Sequence, residues 1–559
     1  MRASLVLLLL TGAAEVAAQG SSPSARLDAV FAAQAGTDRP GCAVSVVDRG
    51  RVVVARGYGM SDLGAGLAIG PRSIFHVASV SKQFTAMSLV LLERAGRLSL
   101  EDDIRKFIPE LPSYGRPITI RHLLNHTSGL RDQWNLLITA GWRLGDDLVS
   151  EQDVMDIVPR QRGLNFAPGT DWMYSNTGFT LGAVIVQRVT GQSLRTFADS
   201  ALFKPLGMRD THFHDDNHMI VPGRTRGYTR DAGTWKETVP NYSTVGATSL
   251  FTTVEDLARW HGQLAEGRVG GREAIAALTR RGVLVTGDTL QYALGIVAGT
   301  YRGTPTLAHS GGDPGYSSYL LNFPQSASGV AVLCNTSGVA NPTRLAEQAA
   351  DLYLADQLGT EPALAARVAA GSVAGREGLY WSDSLESSAR LAVDSGFAVW
   401  RVGPGATPLR DGSAGRWLLG AGPASLSPLA DGTVRYRSGN GEPSIFRRVE
   451  EDTPTPAELA ALAGRYRSDE LEVTWELRAT GDSLMLHRRK FPPARLAPIF
   501  RDRFQATSGM GFVVQVQRDA RGRATGITVG SGRVRRMLFL REVPVAPVPP
   551  TRPRRPDTR

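Results

Sequence analysis

The sequence predicts an α+β domain followed by two small all-β modules. Three observations carry that prediction. Strand-like segments open and close the stretch from about residue 24 to 360, with helix-like segments between them. From about residue 376 the chain changes to short alternating strands and Gly-rich turns, and that part contains an internal repeat.

Taken in order, the first 18 residues combine an early Arg2, an apolar run from Leu5 to Leu10 and small residues ending Val16-Ala17-Ala18. That is the pattern of a secretory signal peptide, so residues 1–18 are set apart from the fold; the run is too short for a transmembrane anchor. CAVSVVDRGRVVVARGYG reads as two strands joined at Asp48-Arg49-Gly50. SVSKQFTAMSLVLLERAG reads as a helix stopped by Gly96, and LGAVIVQRVTG as a helix stopped by Gly191. SSYLLNFP and GVAVLC read as a second strand pair, followed by a helix around residues 342–358. Strands at both ends imply a sheet closed by distant parts of the chain. Cys42 and Cys334, the only cysteines, lie in strand-like runs; a disulfide and two buried free thiols both stay open.

Beyond the domain, Gly378-Leu-Tyr380-Trp-Ser382-Asp383-Ser-Leu385-Glu386 matches Gly464-Arg-Tyr466-Arg-Ser468-Asp469-Glu-Leu471-Glu472 position for position. Ser438-Gly439 before Phe446 and Ser531-Gly532 before Phe539 close the two copies alike. The expectation is two barrel-like modules, residues 376–450 and 460–543, with a disordered Pro/Arg-rich tail at 544–559.

Composition sets outer limits on function. The chain has 559 residues, 42% hydrophobic and 21% charged, which excludes a disordered polymer and a multi-span membrane protein. Its formal charge of +10 is a diffuse arginine excess without a dense basic block, which argues against nucleic-acid binding. Only Lys82, Lys106, Lys204, Lys236 and Lys490 supply amines, so chemistry that needs one has few candidates.

Three short motifs carry the chemistry. In Ser79-Val80-Ser81-Lys82, a helix starting at the serine puts positions i and i+3 on one face, where an amine can take the hydroxyl's proton. Alone, the pattern is common in helices. Tyr174-Ser175-Asn176 follows the turn Phe166-Ala-Pro168-Gly169 and could supply a proton relay and an amide donor; the plainer reading is a half-buried Tyr and a helix-capping Asn. His309-Ser310-Gly311-Gly312 precedes the late strands, and its small residues would let a substrate backbone approach, with the Gly312 N–H facing an oxyanion; the plainer reading is a turn.

Together, in this order, the motifs resemble the serine β-lactamase and penicillin-binding protein family, particularly its branch with class C β-lactamases, D-alanyl-D-alanine carboxypeptidases, D-aminopeptidases and esterases. PRSIFHVASVSKQFTA, ITIRHLLNHTSGL, FAPGTDWMYSNTGFTLGAVIVQRVTGQSL, TTVEDLARW and HSGGDPGYSSYL extend the likeness over about residues 24–360. The resemblance implies a β-lactamase/transpeptidase-like domain, an antiparallel sheet with flanking helices. It implies Ser79 as acylated nucleophile, Lys82 as base or electrostatic partner, and Tyr174 as proton relay. It also implies Asn176, His309, Ser310 and Gly311 as substrate-binding residues, with the N–H groups of Ser79 and Gly312 as oxyanion hole. Between Lys82 and Tyr174 the base stays undecided.

One departure matters. Many relatives carry Lys-Thr-Gly where this chain has His309-Ser310-Gly311, and a histidine is mostly neutral at pH 7. That disfavours carboxylate-bearing β-lactams and favours D-residue peptides or esters. A D-aminopeptidase of the family carries two eight-stranded barrels after its catalytic domain, with a loop of the last barrel reaching the site. By that resemblance Arg488-Arg489-Lys490-Phe491-Pro492-Pro493 could be the corresponding loop, an ordinary hairpin tip being the simpler reading.

Other signals are set aside. His212, His214, Asp215, Asp216 and His218 crowd together without a recognised zinc spacing and read as a solvated loop, so no metal and no cofactor is expected. No Gly-x-Ser-x-Gly elbow or phosphate-binding loop occurs. His126 reads as a structural histidine beside the site. The expectation is a periplasmic or secreted serine hydrolase without a transmembrane anchor, acting on small peptides, amides or esters. β-Lactams or peptidoglycan stem peptides are the alternative substrates, and a non-catalytic cell-wall or penicillin sensor is the alternative of another class.

Overall fold

The computed structural model describes residues 22–361 and 363–542. The expected signal peptide and the expected tail lie outside the described residues. Backbone contacts divide the chain into two compact units, one ending at Val449 and the other beginning at Glu450.

In the first unit, β1 (Cys42–Asp48) and β2 (Arg51–Tyr58) form a hairpin. Arg49 and Gly50 turn it with φ of 46° and 78°, as the right-handed twist of the flanking strands requires. Short strands β3 (Phe75–His76) and β4 (Leu250–Thr252) pair with each other. Late in the domain come β5 (Val297–Tyr301), β6 (Thr304–Asp313), β7 (Tyr316–Phe323) and β8 (Ser328–Cys334). The main sheet is antiparallel throughout, in the order β5-β6-β7-β8-β1-β2. Its first and last parts meet where β1 pairs β8, Cys42 opposite Cys334. The question the sequence left open is answered there: the two cysteines form a disulfide.

Helices cover both faces. α1 (Pro23–Val30) and α5 (Pro342–Tyr353) pack Leu27, Leu345 and Ala349 against Val44, Val46, Val330 and Val332. On the other face, Ser45 donates to the Val254 carbonyl at the start of α4 (Val254–Glu266), 2.9 Å away. A strand covered on both sides must be apolar or internally satisfied at every position, which is why β1 reads as a continuous buried run. α2 (Lys82–Arg94) is buried along most of its length, and α3 (Thr177–Thr190) crosses it at Gly182, where a Cβ would sit 3.2 Å from Leu89. Gly96 and Gly191 follow these helices with φ of 68° and 74°, the left-handed stops the sequence predicts.

The Gly-rich half closes into two eight-stranded barrels. β9 to β16 run from Gly378–Ser382 to Ser444–Val449, closing where Leu379 faces Val449; β17 to β24 run from Gly464–Ser468 to Met537–Arg541, closing where Tyr466 faces Arg541. The repeat is structural in detail. Tyr380 and Tyr466 are buried and each donates its hydroxyl four residues back, to Arg376 and Leu462 carbonyls. Glu386 and Glu472 both take positive φ, 50° and 57°. Arg488 lies just past Ser483–His487, in the connection to Ala494–Phe500, and its guanidinium covers Trp475, Phe491 and Phe512 of the second barrel. Among the described residues no helix is long and apolar enough to cross a membrane.

Candidate active site

Ser79 lies in a single 3-10 turn, Ala78–Ser81, that runs directly into α2. That turn eclipses positions i and i+3, so Lys82 Nζ comes to 3.1 Å from Ser79 Oγ. The lysine is fully buried. It also donates to Asn176 Oδ1 at 2.8 Å and to the Ala247 carbonyl at 2.7 Å, so serine, amide and carbonyl surround the amine.

Asn176 stands at the N-cap position of α3, but its side chain does not cap. The plain reading of a capping asparagine is therefore replaced by a bridging one. Its Oδ1 receives Lys82, and its Nδ2 donates to Asp132 Oδ2 at 2.8 Å. Asp132 Oδ2 also takes the Asn176 backbone N–H at 2.7 Å, while Oδ1 caps the helix Gln133–Ala140 through Trp134 and Asn135. Sequence reasoning missed Asp132. It fits a helix cap by itself, and no spacing rule ties it to Asn176, 44 residues away.

Tyr174 is positioned by His126, whose carbonyl accepts the Met173 N–H at 3.0 Å and whose Nδ1 accepts the Ser175 N–H at 3.1 Å. The backbone is thus held on both sides of the tyrosine. The His126 ring also packs against the Tyr174 ring at 4.2 Å between centroids, tilted by 40°. Lys82 Nζ lies 4.8 Å from the centre of the Tyr174 ring.

His309, Ser310, Gly311 and Gly312 are not a turn; they lie within β6, with the His309 ring centroid 6.2 Å from that of Tyr174. β5 pairs with β6 only as far as Ala308, so among the described residues the stretch from His309 to Asp313 is paired by β7 alone. His309 Nδ1 donates to the Ser310 carbonyl at 2.6 Å, and Nε2 accepts the Tyr292 hydroxyl at 2.8 Å. Burial first, then the Lys82 charge, pushes its pKa down to about 3, so the ring is neutral. The two glycines differ. A Cβ on Gly311 would lie 2.3 Å from both the Val77 carbonyl and Ser318 Oγ, so a side chain there would collide with the backbone just before the turn that carries Ser79. A Cβ on Gly312 would meet open space.

Tyr292 and the reach of the first barrel toward the catalytic-domain loops were also missed. The turn between Val434–Arg437 and Ser444–Val449 reaches the catalytic-domain loops: Asn440 Oδ1 accepts the Gln291 N–H at 2.6 Å, and the Glu442 N–H donates to Asp171 at 3.0 Å. Those loops carry Tyr292 and Trp172, both within 6.0 Å, centroid to centroid, of the His126 ring. The cluster of His212 and His214 packs its rings on Phe251 instead, and among the described residues no group of three or more His, Cys, Asp or Glu is arranged to hold a metal ion.

Residues 27–355 match the family model described as Beta-lactamase. A D-aminopeptidase of Gluconobacter oxydans (strain 621H) is 29% identical over 81% of this chain and 85% of its own. Penicillin-binding protein 4* of Bacillus subtilis (strain 168) is 30% identical over 50% of this chain, and the match spans 64% of that protein. Among solved structures, the octameric penicillin-binding protein homologue from Pyrococcus abyssi aligns over 76% of this chain and 99% of its own, with a TM-score of 0.54 and 23% identity, a likeness of fold.

Proposed function

We propose that this chain, which belongs to the beta-lactamase family and is a serine hydrolase, removes D-amino acids from the amino end of peptides and amides through an acyl-enzyme on Ser79. The observation that carries the reading is the contact between Lys82 Nζ and Ser79 Oγ at 3.1 Å, held by Asn176 and Ala247. Ser79 Oγ attacks the substrate carbonyl while its proton passes, by way of the Lys82 and Tyr174 pair, to the leaving amine; the C–N bond breaks and a serine ester remains. Water then attacks that ester along the same route in reverse. The N–H groups of Ser79 and Gly312 receive the oxyanion. Asn176 keeps a second Nδ2 hydrogen for a substrate carbonyl after serving Asp132.

The substrate class rests on His309 and on the D-aminopeptidase relative. A neutral imidazole with both nitrogens already bonded offers no fixed positive charge for a β-lactam or C-terminal carboxylate. Esters share the acyl chemistry and complete the expected range. Export to the periplasm or beyond is part of the proposal, supported by the residues preceding the fold and by a disulfide suited to an oxidising compartment. Intact-mass labelling with a fluorophosphonate and with penicillin, on wild type and Ser79→Ala, tests the nucleophile. A panel of D-amino-acid p-nitroanilide, D,D-peptide, ester and cephalosporin tests the substrate. An adduct that survives Ser79→Ala removes the nucleophile, and cephalosporin turnover faster than anilide turnover reassigns the enzyme to β-lactams.

A further inference from the structure

The two proposed oxyanion donors come from different elements, Ser79 from the turn before α2 and Gly312 from β6. Nothing in the chain sequence joins them, yet a chain of side chains does. Ala78, the neighbour of Ser79, is held at a φ of 48°, a left-handed conformation unusual for alanine. Its N–H donates to His76 Nδ1 at 3.1 Å, which leaves the proton of the ring on Nε2. Burial pushes the His76 pKa down to about 3, so the ring stays neutral and keeps that acceptor. His76 Nε2 lies 3.4 Å from Thr248 Oγ1, and that hydroxyl in turn donates to Asp313 Oδ2, with His76 Nε2 itself 3.8 Å from the same oxygen. Asp313 is the neighbour of Gly312. The side chain of His76 is 2% exposed and that of Asp313 15%, so solvent substitutes for little of this chain.

We propose that His76, Thr248 and Asp313 are positioning residues that fix the Ser79 and Gly312 N–H groups at the separation an oxyanion needs. The proposal rests on the acyl-enzyme reading above. A preorganised donor pair acts on the transition state more than on the bound substrate, so its loss lowers kcat while leaving KM in place. A merely structural contact has no reason to divide its effect that way.

The experiment compares Thr248→Val, Asp313→Ala, Asp313→Asn and His76→Leu with wild type on a D-amino-acid p-nitroanilide, reading kcat, KM and the rate of fluorophosphonate labelling. Thr248→Val is near isosteric and decides the matter. The expected result is a kcat reduced about tenfold with KM within about twofold, and slower labelling that still reaches one adduct per chain. Asp313→Asn, whose amide oxygen can still accept from Thr248, recovers to within about threefold of wild type where Asp313→Ala does not. Thr248→Val with wild-type kcat and labelling rate overturns the proposal, as does a loss appearing in KM alone. Absence of any Ser79 adduct on wild type is a different failure: it overturns the nucleophile itself.

Discussion

Two carboxylates stand behind the site, and they are held in opposite ways. Asp132 is fully buried and receives N–H groups from Trp134, from Asn135 and from both the backbone and side chain of Asn176. Asp313 is almost as enclosed but, among the described residues, takes one hydroxyl, from Thr248. Burial without backbone donors pushes its pKa up to about 6, against the pull of Thr248 and Lys82. The contrast teaches what a buried charge can be used for: one rich in donors is a fixed joint, while one poor in donors is a strained strut.

The sharpest break of this contrast is Asp132→Ala. It uncaps the helix Gln133–Ala140 and leaves the Asn176 amide without its acceptor, for a loss of roughly 3 kcal/mol in urea unfolding and at least about 100-fold in kcat/KM. A variant with wild-type turnover would make the joint ornamental.

Asp313→Asn should act in the reverse direction on stability. The carboxyl of the folded protein binds its proton more tightly than that of the unfolded chain, so its contribution is present below about pH 4 and lost as pH rises through about 6. At pH 8 the asparagine variant is therefore more stable by about 2–3 kcal/mol, and the gap closes near pH 4. Thermal melts at both pH values check this, and a variant less stable at pH 8 would contradict the strain.

A milder test concerns the His309 imidazole. With the His309 pKa pushed down to about 3, the pH profile of kcat/KM between about 5 and 8 should owe nothing to that ring, and His309→Gln should keep the profile's shape whatever its height. An inflection near pH 6.5 that vanishes in the variant would show a titrating histidine. The smallest effect belongs to Asn440→Ala at the barrel turn, which removes one neutral hydrogen bond to Gln291: about 1 kcal/mol of stability, with KM for the anilide raised about twofold. An unchanged KM would confine the first barrel to a structural role.

Much of the fold is legible because its signals are local. The Arg49-Gly50 hairpin, the stops at Gly96 and Gly191, and the matched strands at Gly378 and Gly464 each depend on residues within one turn of each other. The Ser79 and Lys82 pair is legible for the same reason, since three residues of helical turn place them together. Two other segments show the limit. His309 to Gly312 leave a turn and a strand edge both open because two adjacent glycines weaken a strand signal, and Ser438-Gly439 marks the repeat without revealing the reach of that turn to Gln291.

The amino-acid order alone determined the Ser79 and Lys82 pair proposed as nucleophile and amine, the order of the three motifs, the repeat and the presence of His309 on β6. Only the tertiary structure decided that Asp132 holds Asn176, that Ala247 receives Lys82 across 165 residues, and that His76 reaches Asp313 through Thr248. The physical reason is that periodicity encodes which face a residue presents to its immediate neighbours. A buried hydrogen bond between distant segments has no period, and its partner is fixed only when the core closes around it and water is gone.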